Sequence, residues 1–273
     1  MLDRLNRVPA MKVQPPLFLS HGSPMLYLTD TPAHRFLAAL GERIERPRAI
    51  VVASAHYETE RPAVGASAAP RTIHDFGGFP DALHRARWPA PGAPEVAQEV
   101  ADALAAAGFA VDIDPDRGLD HGVWVPLGIA FPDAEVPVVP LAIQPDRDPA
   151  HHVRLGRALH PLLARGIMIV GSGSMTHNLA ALDRRHGPVG PTSGWIEGFR
   201  QWIVDRAAAG DEQALVDYRR QAPMAEMSHP TDEHFLPFFV ALGAAGDGAR
   251  GTRIHDSVEY GALALDSFAF APA

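Results

Sequence analysis

Fourteen histidines and no cysteine define the side-chain chemistry open to this 273-residue chain. Without thiols there are no disulfides, no thiolate nucleophile, no iron–sulfur cluster and no cysteine-type zinc site. Any metal must be held by His, Asp or Glu. Five histidines fall where predicted strands or helices begin or end. His21 follows LFLS, His56 follows VVASA, His121 sits in a glycine-flanked turn, His177 comes shortly after IMIVGSGS, and His234 lies in the first turn of a predicted helix. Neutral imidazole is the commonest metal ligand near pH 7. Three such nitrogens with open positions beside them make a catalytic rather than a structural centre. One histidine at a strand end is more simply a turn or core residue, but five at such ends carry more weight together.

The remaining histidines divide differently. His74, in the glycine-rich segment RTIHDFGGFP, suits a loop over a pocket, and His229 before Pro230 suits a helix entry. His34, His84, His151, His152, His160, His186 and His255 read as surface or helix-face residues. Other chemistries fit less well. Gly171-Ser172-Gly173-Ser174 lacks the Gly-Lys-Ser/Thr end of a phosphate loop and reads as a tight turn. There is no Gly-x-Ser-x-Gly elbow, no Gly-x-Gly-x-x-Gly after the first strand and no His-Glu-x-x-His helix.

The elements that must position these side chains alternate between strand and helix. Pro15–Ser20 predicts a short buried strand closed by the turn His21-Gly22-Ser23-Pro24, and Ala33–Glu42 a helix. Ala49–Ala55 is the clearest strand, a continuous apolar β-branched run of the kind buried on both faces. Further strands are expected over Ala63–Ala68, Phe109–Ile113, Val136–Ile143 and Ile167–Gly171, with one or two more over Val258–Ala271. In Pro94–Gly108 the residues Val96, Val100, Ala103, Leu104 and Ala107 make a helical stripe that Gly108 stops. Helices are also expected over Ala150–Ala164, Thr192–Ala209, Asp211–Gln221 and Thr231–Gly243, the last with Asp232 and Glu233 in its first turn. Gly118–Pro126 reads as a loop or a helix entry. This alternation predicts one α/β domain whose sheet is covered on both faces, with ligands bound outside the carboxyl ends of the strands. An N-terminal extension over residues 1–15 and a single catalytic domain over 16–273 complete the expected organisation.

Composition narrows the partners. With 47% apolar and 21% charged residues the chain is an ordinary globular one. Its formal charge of −8 without basic clusters argues against nucleic-acid and membrane-surface binding. No apolar run approaches the ~20 residues of a membrane span, and Met1 to Gln14 lacks the apolar core of a secretory signal. A cytoplasmic location is expected, and a homo-oligomer stays open.

Six phrases then occur in order: His21-Gly22-Ser23-Pro24, Ser54-Ala55-His56-Tyr57, the run from Ile73 to Pro80, Asp120-His121-Gly122, Thr176-His177-Asn178-Leu179, and the run from Glu233 to Pro237. The set resembles the DOPA-type extradiol ring-cleavage dioxygenases of the class III, LigB-like superfamily, over roughly residues 16–270. The resemblance implies a mixed central β-sheet flanked by helices. It implies that His21, His56 and His234 are metal ligands, that His177 is the catalytic acid/base, and that His121 is a second histidine near the substrate. Phe76 and Tyr260, with His74, are expected to line the substrate pocket. The implied cofactor is one divalent metal per chain, Fe(II) for dioxygenase activity. Three neutral imidazoles in place of a two-histidine, one-carboxylate triad also suit Zn(II), and His177 could complete the metal shell. The implied reactants are a small aromatic diol, DOPA-like or related, and O2, giving a ring-opened semialdehyde. Two other readings stand beside this one: a zinc hydrolase using a metal-activated water on the same histidines, and a non-enzymatic binding protein like those of the Memo family.

Overall fold

A computed structural model describes residues 13–273. The expected N-terminal extension falls largely outside the described residues, as does the side chain of His186. In chain order the elements are β1 (Leu17–Ser20), α1 (Pro32–Arg43), β2 (Ala49–Glu58), β3 (Ala63–Gly65), α2 (Asp81–Arg85), α3 (Pro94–Ala106), β4 (Asp112–Asp114), α4 (His121–Ala130), β5 (Val138–Ile143), α5 (Pro149–Leu163) and β6 (Ile167–Gly173). They continue with α6 (Trp195–Ala209), α7 (Glu212–Val216), α8 (Tyr218–Gln221), α9 (Ala225–Ser228), α10 (Leu236–Ala244), β7 (Arg250–His255), β8 (Val258–Glu259), β9 (Leu263–Ala264) and β10 (Ser267–Ala271).

Eight strands form one mixed sheet in the order β4-β3-β5-β2-β6-β1-β10-β7. The middle four, β5, β2, β6 and β1, run parallel, so their carboxyl ends open on the same side. β10 and β7 close one flank antiparallel, and β3 pairs antiparallel with β5 on the other. A separate ribbon joins β8 to β9.

β2 sits in the middle because its sequence is apolar on both pleats. Ile50 and Val52 enter a core with Leu37 of α1 and Trp124 of α4. Val51 and Ala53 face the other way, onto α3, α5 and α10 through Val100, Leu159 and Val240. Alternate residues of one strand therefore serve two cores, the demand made on a parallel strand covered on both faces. A third, aromatic core joins Phe18 of β1 to Phe199 of α6, Phe235, Phe238 and Phe268. The single mixed-sheet α/β domain matches expectation.

Several boundaries differ from the sequence reading. β2 continues past Ala55 to Glu58, so His56 belongs to the strand instead of following it. Gly171-Ser172-Gly173 is no tight turn; β6 runs through it, paired with β1 and β2. The strand expected over Phe109–Ile113 is displaced to the three residues of β4. Asp211–Gln221 breaks into α7 and α8, and α10 starts at Leu236, five residues later than expected. β7 was not foreseen. Its sequence RGTRIH has little apolar alternation, and as an edge strand it is held mainly by its pairing with β10.

His152, expected on a surface or helix face, is fully buried. Its Nδ1–H donates to Asp148 O and its Nε2 accepts from the Gln144 backbone N–H, which specifies the neutral ring. Burial lowers its pKa from 6.5 to about 4. Above pH 6.5 both folded and unfolded states are neutral there; below it the unfolded chain takes the proton first, so stability falls with pH until about 4. Wild-type protein is expected to lose about 2 kcal/mol more than His152→Asn between pH 7.5 and pH 5 in denaturant unfolding. Equal losses in the two proteins would show that this ring carries no such linkage.

Candidate active site

The carboxyl ends of β1, β2 and β6 meet the turn before α10, and this is where the histidines gather. His21 is the first residue past β1, and its backbone N–H donates to Gly173 O at 2.9 Å. His56 lies near the end of β2, with its N–H bonded to Ser54 Oγ at 3.2 Å. His234 does not begin a helix as expected. It occupies the turn ahead of α10, where its carbonyl accepts from Ser174 N at 2.8 Å.

Glycine on β6 makes that last contact possible. A Cβ on Gly173 would stand 2.1 Å from His234 O, and one on Gly171 would stand 2.0 Å from Pro237 O. Gly173→Ala is therefore expected to push the His234 turn away, costing about 1–3 kcal/mol of stability and weakening metal binding. Denaturant melts and metal titration check this, and a variant matching wild type in both would show the close approach to be dispensable.

Three ring nitrogens converge. His56 Nε2 lies 3.1 Å from His21 Nε2 and 3.3 Å from His234 Nε2. The other nitrogen of two of these rings is committed. Ser172 Oγ donates to Gly122 O, so it can only accept from His21 Nδ1–H, at 3.0 Å. His234 Nδ1–H donates to Glu233 Oε1 at 2.9 Å. Both rings consequently aim an Nε2 lone pair inward. Burial, reinforced by the neighbouring imidazoles, pushes His21 and His56 well below the ordinary histidine range. Burial also lowers His234 to about 4, against the pull of Glu233. With His56 Nε2 between the inward lone pairs of His21 and His234, the three rings could hold a metal ion. The spacing fits one, since ligands about 2.05 Å from a tetrahedral ion stand ~3.3 Å apart.

His121 is the first residue of α4, not part of a glycine-flanked turn, and is nearly fully buried. Its ring centroid lies 3.9 Å from that of His56, and His21, His56 and His121 form a group whose ligand atoms all lie within 4.8 Å. This buried cluster could hold a metal ion. His177, Glu233 and His234 form a second such group. The His177 ring stacks on His234 with centroids 3.4 Å apart, and its Nδ1 lies 3.7 Å from Glu233 Oε1.

Two carboxylates given no site role in the sequence reading organise these rings. Asp75 Oδ1 accepts from the His121 backbone N–H at 2.9 Å. Its Oδ2 lies 3.0 Å from His121 Nδ1, an electrostatic contact without hydrogen-bond alignment, and 3.6 Å from His56 Nδ1. Burial alone would raise the Asp75 carboxyl, but the imidazoles outweigh it and hold it below the usual range. Glu233, expected as a helix-start charge, instead holds His177 and His234. Burial would raise it too, and the neighbouring His177, His234 and Thr231 side chains drive it strongly downward. The available signal was adjacency: Asp75 follows His74, and Glu233 precedes His234.

A cavity of about 630 Å3 opens over the cluster, walled by Phe76, Phe79, Leu179, Leu182, Tyr260 and Leu263. Phe76 and Tyr260, expected at the substrate pocket, both line this cavity. His74 does not line it: its Nε2 faces Ala86 O at 2.9 Å and the Arg87 guanidinium at 3.1 Å, behind Phe76. His229, expected at a helix entry, instead follows the end of α9. It is fully buried, bonds Met175 O through Nε2 at 2.8 Å, and stacks on Phe235.

Comparison with known proteins places these features in context. Residues 15–266 match the family model described as the catalytic LigB subunit of aromatic ring-opening dioxygenase. The chain is 40% identical over 257 residues to a 4,5-DOPA dioxygenase extradiol of Beta vulgaris, covering 93% of this chain and 95% of that protein. It is 40% identical to a protein of the same name from Escherichia coli K12, covering 92% of each. A crystal structure of an uncharacterized Escherichia coli K12 protein aligns with a TM-score of 0.77 at 34% identity, covering 93% of this chain and 98% of that one. Among the described residues no helix is long and apolar enough to cross a membrane.

Proposed function

Because the chain belongs to the LigB family of aromatic ring-opening dioxygenases, and is thereby an extradiol dioxygenase acting on an aromatic substrate and O2, we propose that its substrate is a catechol, DOPA or a related diol, opened to a semialdehyde. His21, His56 and His234 hold one divalent metal, Fe(II) for turnover. The observation that carries this reading is the convergence of the three Nε2 atoms beneath an aromatic-walled cavity. Family membership replaces the two other readings, a hydrolase and a binding protein. The lack of cysteine fits a cytoplasmic setting.

Fe(II), when bound, supplies the redox centre at which diol and O2 react, a chemistry that Zn(II) lacks. The protein's own groups do the rest. A catechol must shed hydroxyl protons on binding. His177 reaches the cavity and carries Glu233 at its Nδ1 edge, so its Nε2 takes a proton while the carboxylate stabilises the imidazolium that forms. The same nitrogen returns the proton as the ring opens. His121, held against Asp75, is the second proton-handling group. Phe76 packs edge-on to His121 at 5.7 Å and offers its ring to the substrate, and the leucines beside it exclude water.

The test is O2 uptake by anaerobically Fe(II)-loaded protein over a panel of catechols, with a Zn(II)-loaded control. Iron-dependent uptake with a yellow product is expected. Tight metal binding without uptake on any diol would overturn the catechol reading, and ester hydrolysis by the zinc form would revive the hydrolase.

A further inference from the structure

Among the described residues that line the cavity, Arg184 alone carries a permanent charge. The rest of the wall is apolar, glycine, serine, tyrosine or histidine. Its chain neighbour Asp183 is engaged by Arg185, through Nε at 2.9 Å and Nη2 at 2.8 Å. Among the described residues no carboxylate stands within ion-pair distance of the Arg184 guanidinium. A solvent-exposed guanidinium at the rim of a mostly apolar cavity, with no counter-charge in reach, is open to an anionic ligand.

The loop that carries Arg184 is tied down beside the cavity. Asp183 N–H donates to Tyr260 O at 2.8 Å, Tyr260 N–H to Pro188 O at 3.2 Å, and Ser193 N–H to Gly261 O at 2.7 Å. Tyr260, which lines the cavity, sits at φ +50° and Gly261 at +72°, a left-handed pair in the turn between β8 and β9. A tyrosine rarely adopts that conformation without compensating contacts. The turn so formed anchors the loop on both sides of Arg184 and brings the guanidinium and the Tyr260 ring to the same cavity.

We propose that Arg184 is a specificity-determining residue, whose guanidinium takes a carboxylate on the side chain of the aromatic substrate. An anionic catechol is thereby preferred to a neutral one of the same ring. The planar fork of Arg matches a carboxylate through two parallel N–H···O bonds. This inference rests on the catechol reading above. The side chain is solvent-exposed at the rim, so the preference weakens as salt rises.

The experiment compares wild type, Arg184→Gln and Arg184→Lys on 3-(3,4-dihydroxyphenyl)propionate and on 4-methylcatechol, with calorimetric binding of the acid measured alongside turnover. Arg184→Gln should lower kcat/KM for the acid about tenfold, chiefly through KM, and leave the neutral diol within about twofold. Arg184→Lys should recover part of the loss. Equal losses on both diols, or no loss on the acid, would overturn the assignment. If wild type opened neither diol yet bound the acid in an Arg184-dependent way, the catechol turnover would fall and the anion site would stand.

Discussion

Ring opening by His56→Ala is expected to vanish together with the metal. The Nε2 of His56 is the middle one of the three converging nitrogens, within 3.3 Å of both others. Its removal leaves two imidazoles that no longer enclose an ion. Losing a partner outside the ligand shell typically costs 10–100-fold in metal affinity or activity, so losing a ligand should cost more than that. The apoprotein should remain folded, because burial already holds His56 neutral and its removal strands no buried charge. Metal content by elemental analysis and O2 uptake check this. Stoichiometric metal in the variant would sink the proposed centre. His234→Ala and His121→Ala, measured beside it, decide the third ligand: metal loss is expected for His234→Ala, and its retention there with loss in His121→Ala would move the site to the buried His21, His56 and His121 group.

His177→Gln should behave oppositely, keeping the metal and losing the rate. A positioned acid/base contributes roughly 10²–10⁴-fold, and kcat is expected to fall by that factor with metal content unchanged. Glutamine preserves polarity and approximate size but cannot carry a proton. Glu233→Gln should cost less, about 10–100-fold, since Glu233 acts through the rings of His177 and His234. Loss of metal from His177→Gln would make His177 a ligand, and an unchanged kcat would remove it from proton transfer.

The main strands of the sheet and the candidate site were legible to different depths. Buried parallel strands such as Ala49–Glu58 announce themselves by continuous apolar sequence, because both faces are covered. The edge strand Arg250–His255 did not, since solvent on one flank removes that demand. Gly171 and Gly173 look like turn residues in the sequence but lie in β6, for a related reason. Their requirement comes from the backbones of Pro237 and His234, more than sixty positions away in the chain.

By itself the sequence determined which chemistry was available: an acidic, cysteine-free α/β chain whose histidines fall near the carboxyl ends of apolar strands, where side chains project beyond the sheet. Only the tertiary structure decided which of them meet. His74 and His121 look alike in sequence, each beside an aspartate, yet one turns back to Ala86 and Arg87 while the other packs against His56. Asp75 and Glu233 became part of the site only because β1, β2, β6 and the turn before α10 converge on them. Ring orientation depends on hydrogen-bond partners such as Ser172, distant in sequence from the ring it holds. Such partners are chosen by packing, which local propensity does not encode.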